Sequence, residues 1–447
     1  MFAAACLTAC NSNDLPLAAE PFAEDSASFE PSVSNVPIRF APVDLQNVIV
    51  AHNQAGLSRR SSGTGSYSYD RLGIFCLAKY SIEGLTAVHT PTWSGKSKDK
   101  LLNAYSVWKK NELGSLNYKN NATTGNIVWD SDMKDETAFY PDNDWFAYGF
   151  ALYYPYTKNI YYTQKTITAY VKVDGDDDVC YAVTKSPKVV TGDGQLDRKG
   201  FSKSYYEGLN HDPGVDEWIY PVFQFNRLVS RVDFYVRLKE QSQHNVHVDK
   251  IELEEFPCIM KVALVNRATG DMKSSVSGVP TRLYIRNQHD LDSINKLMRT
   301  SYNLDSLHYV EQFPEMQKVF GHFELREENG ETISEQKNDD GSYKYNLTTS
   351  FQKIGGGIMV PPVTDKDSRS SLKIYVTLCD DEGNRYRNEK ALVVPAPSGG
   401  YKVGYAHTVP IALDYFLQPA VDGKIEDWQP VPFGNIDATD TKWEEIP

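Results

Sequence analysis

Short runs in which apolar and polar residues alternate recur along this chain, each closed by turn residues. They cover Arg71 to Tyr80, Trp145 to Tyr154, Thr166 to Val173, Leu228 to Leu238, Arg282 to Arg286, Leu372 to Leu378 and Thr408 to Tyr415. A period of two sends successive side chains to opposite faces of an extended strand, so the pattern predicts β-sheet. Many short strands with turn signals between them predict β-sandwiches. Tyrosine, at 28 residues, suits half-buried strands. One helix is expected, Asp290 to Leu304, with Leu291, Ile294, Leu297 and Met298 at helical spacing and Asp290 or Asp292 as its cap. The fold class is all-β with few short helices.

A chain of 447 residues is long for one core, and two domains are expected. The polar stretch Gly208 to Asp216, followed by a strong strand from Leu228, places the boundary near Tyr220-Pro221. The domains are then 36–221 and 222–417, with a tail at 418–447. The net charge of −13 argues against nucleic acid, whose phosphates need a basic face. No apolar run approaches the roughly 20 residues a membrane-spanning helix needs. Cys76, Cys180, Cys258 and Cys379 are single and far apart, which predicts buried thiols acting as small hydrophobes rather than a metal site.

Leu7-Thr8-Ala9-Cys10 ends a short apolar N-terminus and resembles a bacterial lipobox. Residues 1–10 are then a signal peptide, and Cys10 carries the lipid after cleavage. No Lys or Arg precedes the apolar stretch, so an upstream start supplying one is expected. Two or three acyl chains anchor stably, at roughly 0.8 kcal/mol per buried CH₂. Residues 11–35, rich in Ser, Pro, Ala and acid, read as a flexible tether. The first strand is Val36 to Phe40, with Ile38 and Phe40 on one face. A polar loop from Asn53 to Tyr67 carries Arg59-Arg60, a pair accessible to trypsin-like proteases in such a loop.

Other constellations lead to no chemistry. Asp174 to Asp178 has carboxylates at alternate positions, but position 12 of a calcium loop would be Lys185, so a solvated turn is expected. His244-x-x-His247 lacks a third ligand and reads as exposed loop histidines. Gly355-Gly356-Gly357 lacks the Lys-Ser/Thr of a phosphate loop and reads as a connection between strands. No G-x-S-x-G elbow frames a nucleophile. Trp108, Trp129 and Trp218 could form a sugar platform, although aromatic residues of a β-sandwich mostly serve its core and strands.

Taken together, several segments resemble the fimbrillin-like (Mfa-like) lipoproteins of Bacteroidales, the precursors of type V pili. They are the lipobox, Ile38-Arg39-Phe40, Ser58-Arg59-Arg60-Ser61, Leu72 to Phe75 and the strand Phe146 to Tyr156. Further on come Asp178 to Ala182, Phe225 to Val236, Tyr401-x-x-Gly404 with Thr408 to Asp414, and Ile425-Glu426-Asp427-Trp428. Asn226 stands where the family usually has His. The resemblance implies two tandem transthyretin-like β-sandwich domains and no enzymatic activity. It also implies no cofactor beyond the lipid on Cys10, and a lipid-anchored place on the outer membrane or in the fimbrium. Its partners would be other fimbrial subunits, outer-membrane lipid and a host or bacterial surface ligand. In the family reading an arginine-specific protease cuts at Arg59 or Arg60 and releases the strand of Ile38 and Phe40. The tail with Ile425 and Trp428 is then the candidate donor strand for a neighbouring subunit. Arg59-Arg60 reads equally well as an ordinary solvated loop. The alternative function is a monomeric cell-surface glycan-binding lipoprotein.

Overall fold

The computed structural model describes residues 32–44, 66–81, 107–119, 124–129, 138–142, 146–162, 166–184, 188–191, 194–197, 200–209, 220–223, 225–242, 244–266, 284–301, 318–327, 330–367, 369–388, 390–413 and 431–435. Cys10, the tether before residue 32, Arg59, Arg60, Trp218, Ile425 and Trp428 lie outside them, and of Trp108 only the backbone is described.

The first half of the chain supplies β1 (Val33–Pro37), β2 (Val43–Asp44), β3 (Ser66–Ser81), β4 (Val107–Lys119), β5 (Thr124–Trp129), β6 (Phe139–Pro141) and β7 (Phe146–Tyr154). Then follow β8 (Ile160–Tyr162), β9 (Thr166–Lys172), β10 (Cys180–Val183), β11 (Lys188–Thr191), β12 (Gly194–Asp197), helix α1 (Lys203–Leu209) and β13 (Phe225–Arg227). A seven-stranded sheet runs in the order β13-β10-β7-β3-β4-β5-β2, antiparallel throughout. Its interior strand β7, Phe-Ala-Tyr-Gly-Phe-Ala-Leu-Tyr-Tyr, is buried at every position, because both faces of the sheet are covered. Leu72, Ile74, Cys76, Phe150 and Leu152 face one core. Phe75, Leu77, Ala151, Tyr153 and Tyr181 face the other.

The second half supplies β14 (Ser230–Leu238), β15 (Val246–Pro257), β16 (Ile259–Asn266), helix α2 (Gln288–Ser301), β17 (Phe320–Glu324), β18 (Gln352–Val360), β19 (Leu372–Asp380), β20 (Arg385–Arg387), β21 (Leu392–Val394), β22 (Tyr405–Leu413) and β23 (Val431–Asn435). One sheet runs β18-β14-β22-β23, with β14 and β22 parallel. The other runs β17-β15-β19-β20, with β21 also on β19. Val232, Phe234, Val236, Ile354, Val409 and Ile411 from the first join Val248, Ile251, Leu253, Phe323, Ile374 and Val376 from the second in one apolar cluster. β15 shows the solvated side of the second sheet. Glu252 pairs with Lys250 (2.8 Å) and Arg387 (3.1 Å), and Lys250 reaches Glu324 (3.2 Å).

The two halves interlock. β16, from beyond residue 221, pairs antiparallel with β9, from before it, to make a three-stranded sheet β16-β9-β8. The apolar cluster of the second half therefore includes Ile160, Ile167, Ala169 and Val171 of the first. The chain changes sheets near the expected boundary, yet residue 221 does not separate two independent cores.

Several local expectations change. Arg282 to Arg286 forms no described strand, only a bridge from Tyr284 to Met260. Helix α2 starts at Gln288, and its cap is Asn287, whose Oδ1 accepts the Asp290 N–H at 2.8 Å, rather than Asp290 or Asp292. Leu291 and Ile294 are buried as the spacing requires. α1 was not expected. Its seven residues are begun by Ser202 Oγ, which accepts the Tyr205 N–H at 3.1 Å. The four cysteines from Cys76 onward are buried free thiols, as expected.

Candidate strand-acceptor groove

Residues 33–44 lie against the first half as a lining held mostly by backbone. β1 pairs antiparallel with β6, Val33 opposite Pro141 and Pro37 opposite Phe139. The ladder is extended at both ends: Asp142 N–H donates to Ser32 O (2.6 Å) and Ile38 N–H to Ala138 O (2.7 Å). Ala41 N–H then donates to Pro221 O (2.9 Å), and β2 closes the segment on β5. The expected strand over Ile38 to Phe40 is thus displaced. The strand ends at Pro37, which has no N–H to donate, and Ile38 to Phe40 continue as an irregular crossing between β1 and β2.

Ile38 and Phe40 still point to one side, as the sequence predicts. Ile38 is 1% exposed. Phe40 packs edge-on against Phe150 (5.3 Å between ring centroids) and Phe223 (5.2 Å), and is tilted against Trp129 (5.3 Å). Trp129 also fixes the backbone, its indole Nε1 donating to Ile38 O at 3.0 Å. Below them Tyr140 is fully buried, its ring 5.6 Å from Tyr206 and 6.4 Å from Phe150. Burial raises the Tyr140 phenol well above its ordinary range, with further upward pushes from Tyr206 and Cys76. The wall is aromatic and uncharged. Filling such a site with one aliphatic and one aromatic side chain contributes about 1.5–3 kcal/mol for each fully buried group.

Removing 33–44 would leave β5 without its outer neighbour, β6 without β1, and an apolar trough between them. An unpaired edge beside an apolar groove is a template for an incoming strand. Arg59 and Arg60, the expected cut points, lie outside the described residues. Of the tail, only β23 is described. It pairs antiparallel with β22, Thr408 opposite Val431 and His407 opposite Pro432, and occupies the sheet's edge, where proline is tolerated.

Among the remaining candidates, the acidic turn is not simply solvated. Asp174 Oδ1 accepts the N–H of Asp176 (3.1 Å) and Asp177 (3.2 Å), closing a turn over Gly175 at φ +103°. Asp178, 2% exposed, pairs with Arg227 at 2.5 Å, and Tyr154 donates to Asp177 at 2.7 Å. The sequence did not reveal this burial, because the partners stand 23 and 49 positions away. His247 is also buried, in β15, with its ring stacked 3.7 Å from Tyr343. Burial lowers its pKa. His244 is part-exposed beside Asp381 (3.6 Å). Gly355 to Gly357 sit inside β18 as a bulge opposite Asp233, not in a connection. Trp129, part-buried, packs against Phe40 and donates to Ile38 O, so its indole lines the groove. Among the described residues no cluster of His, Cys, Asp or Glu could hold a metal ion. No described helix is long and apolar enough to cross a membrane.

No family model and no curated protein matches the sequence. Solved structures similar to it include putative cell adhesion proteins and a fimbrial protein of Bacteroides and fimbrial proteins of Porphyromonas gingivalis. A fimbrial protein from Bacteroides vulgatus is 10% identical, with 81% of this chain and 92% of that one covered and a TM-score of 0.35. The fimbrial anchor protein Mfa2 from Porphyromonas gingivalis is 9% identical, with 81% and 88% covered and a TM-score of 0.26. The tip fimbrial protein Mfa3 from the same organism is 10% identical, with 80% and 94% covered and a TM-score of 0.25.

Proposed function

We propose that this chain is a fimbrial subunit, lipid-anchored through Cys10, that assembles by strand exchange without catalysing a reaction. One observation carries the reading. Residues 33–44 are held at strand margins by backbone hydrogen bonds and by Ile38 and Phe40 in an aromatic groove. They can leave as a unit without cutting the seven-stranded sheet internally. The resemblance of the sequence to fimbrillin-like lipoproteins supports the same reading. Cleavage at Arg59 or Arg60 frees the segment, and the tail of a second copy, including Ile425 and Trp428, fills the groove. Repeating the step head to tail gives an open filament at the cell surface.

The test is digestion with an arginine-specific protease, followed by size-exclusion chromatography of the full chain and of a chain ending at Leu417. The expected result is polymer from the cleaved full chain and monomer from the cleaved truncated one. Cleaved full chain that stays monomeric at high concentration overturns strand exchange. Equal polymerisation of both chains removes the tail as donor. The anchor is tested separately. Cys10→Ala should move the protein from the detergent phase to the aqueous phase, and unchanged partition refutes lipidation.

A further inference from the structure

A cavity of about 500 Å³ opens in the second half of the chain, where the end of β15 and the start of β17 meet the residues leading into α2. Tyr284, Arg286, Gln288, Phe320, Asp367 and Arg369 line it. Its size falls in the range of small-ligand sites. It lies apart from the groove of Ile38 and Phe40.

Two cations converge there. Arg286 makes no ion pair or hydrogen bond among the described residues, on a chain whose net charge is −13. Arg369 lays its guanidinium 4.2 Å over the Phe320 ring and has no carboxylate partner among the described residues. Glu255, close enough to feel Arg369, is paired with Lys373 instead. A guanidinium stacked on a ring keeps its edge N–H donors for a planar anion. Tyr284 adds an independent sign. It is 3% exposed, and its hydroxyl finds no partner among the described residues. Buried polar groups are rarely left so.

The lining is not purely basic. Asp367 is held by the Thr364 hydroxyl (2.8 Å), and Gln288, whose amide N–H donates to Asp292 Oδ1 (3.0 Å), also lines the cavity with its amide oxygen as a further acceptor. A carboxylate accepts from hydroxyls, and an amide both donates and accepts. With one Asp against two Arg, the named ionisable groups of the lining sum to one positive charge, which suits a ligand with one negative charge and several hydroxyls. We propose that this cavity binds an acidic monosaccharide unit, its carboxylate on Arg286 and Arg369 and its hydroxyls donating to the Asp367 carboxylate and the Gln288 amide oxygen. This does not depend on the strand-exchange reading, since the two sites share no residue.

The experiment is calorimetric titration of the full, uncleaved chain with glucuronic acid, galacturonic acid and N-acetylneuraminic acid, and with glucose and galactose as neutral counterparts. Sodium sulfate serves as a bare anion. At least one sugar acid should bind ten-fold or more tightly than the neutral sugars and sulfate, and more weakly in 0.5 M salt. Arg286→Gln and Arg369→Gln should each weaken it at least five-fold with an unchanged thermal midpoint. Both side chains are exposed, so neither change should unfold the chain. Equal binding of neutral sugars, sulfate binding as tightly as the acid, indifference to both substitutions, or no binding by any sugar acid each overturns the proposal.

Discussion

Asp177 and His407 are titratable groups whose surroundings push stability in opposite directions with pH. Burial, followed by the charge of Asp174, pushes the Asp177 carboxyl up to about 6. A carboxyl raised on folding is held protonated by the fold. Its stabilising contribution is whole below the unfolded value of about 3.9 and is lost as pH climbs through about 6. Asp177→Asn keeps an acceptor for the Tyr154 hydroxyl and removes the charge. The variant should be more stable than the parent by on the order of 2 kcal/mol at pH 7.5 and about equal at pH 4. Urea midpoints at the two pH values check this. His407 runs the other way. It is 1% exposed, edge-on to Tyr401 at 5.1 Å, and neither ring nitrogen has a partner among the described residues. Burial, with Lys402, lowers it to about 4, against a smaller upward pull from Asp233. Its neutral ring contributes fully above about 6.5, and that contribution is lost as pH falls toward about 4. His407→Phe should therefore flatten the loss of stability between pH 6.5 and 4.5. A variant with the parent's slope would mean that His407 is protonated as easily in the fold as in the unfolded chain.

At the scale of elements, β18 shows what a strand tolerates when glycine supplies the backbone. Gly355 and Gly357 have φ of +60° and +88°, and a Cβ on Gly357 would lie 2.6 Å from Asp233 Oδ1. Gly357→Ala should cost about 1–3 kcal/mol through left-handed strain alone. The clash with Asp233, which holds Arg231 at 2.9 Å and Lys353 at 3.3 Å, adds to it. A lowered denaturation midpoint is the expected reading, and an unchanged one would mean the bulge relaxes. The segment 33–44 gives a second test. Ile38→Ala should destabilise the first half by about 2–5 kcal/mol, as deletions of buried aliphatic groups do. It should also speed release of the segment after arginine-specific cleavage, measured as earlier polymer formation. These two elements mark the limit of what the sequence could tell. The long alternating runs of β3, β7, β9, β14, β19 and β22 were legible because a period of two is a local signal. The triple glycine reads locally as a connection, because the need for a bulge comes from Asp233 across the sheet. Ile38 and Phe40 were legible as an apolar pair. The end of the strand at Pro37 and the aromatic wall of Phe150, Trp129 and Phe223 were not, because those partners lie 89 to 183 positions away. The cavity at Tyr284 and Arg369 is hidden for the same reason, its walls coming from four separated stretches.

For the molecule as a whole, the question is whether the halves on either side of residue 221 are separable bodies. The contacts argue that they are not. β9 and β16 share one sheet, and β10 pairs with β13, which follows the expected boundary. Leu228 N–H donates to Val179 O (2.8 Å), Val173 N–H to Cys258 O (2.7 Å) and Met359 N–H to Gly175 O (2.7 Å). The buried Asp178–Arg227 pair spans the same junction. Removing one partner of a buried pair costs about 3–5 kcal/mol, because the other charge remains unsolvated. Residues 36–221 made alone would lose Arg227 and β16 and expose Phe75, Ala151, Tyr153, Ile167, Ala169 and Tyr181 on the uncovered face. That fragment should bind a hydrophobic dye and show no cooperative thermal transition. Adding residues 222–447 should restore the transition at equimolar ratio. If the fragment melts cooperatively alone, each half has a sufficient core of its own, and the shared cluster is only an interface. If it does not, the acidic turn at Asp174 to Asp178 acts as a clasp, and Arg227→Met in the full chain should loosen both halves together. Hydrogen exchange would then rise in β10 and in β18 at once, although the substitution touches neither the groove nor the second sandwich's sheets.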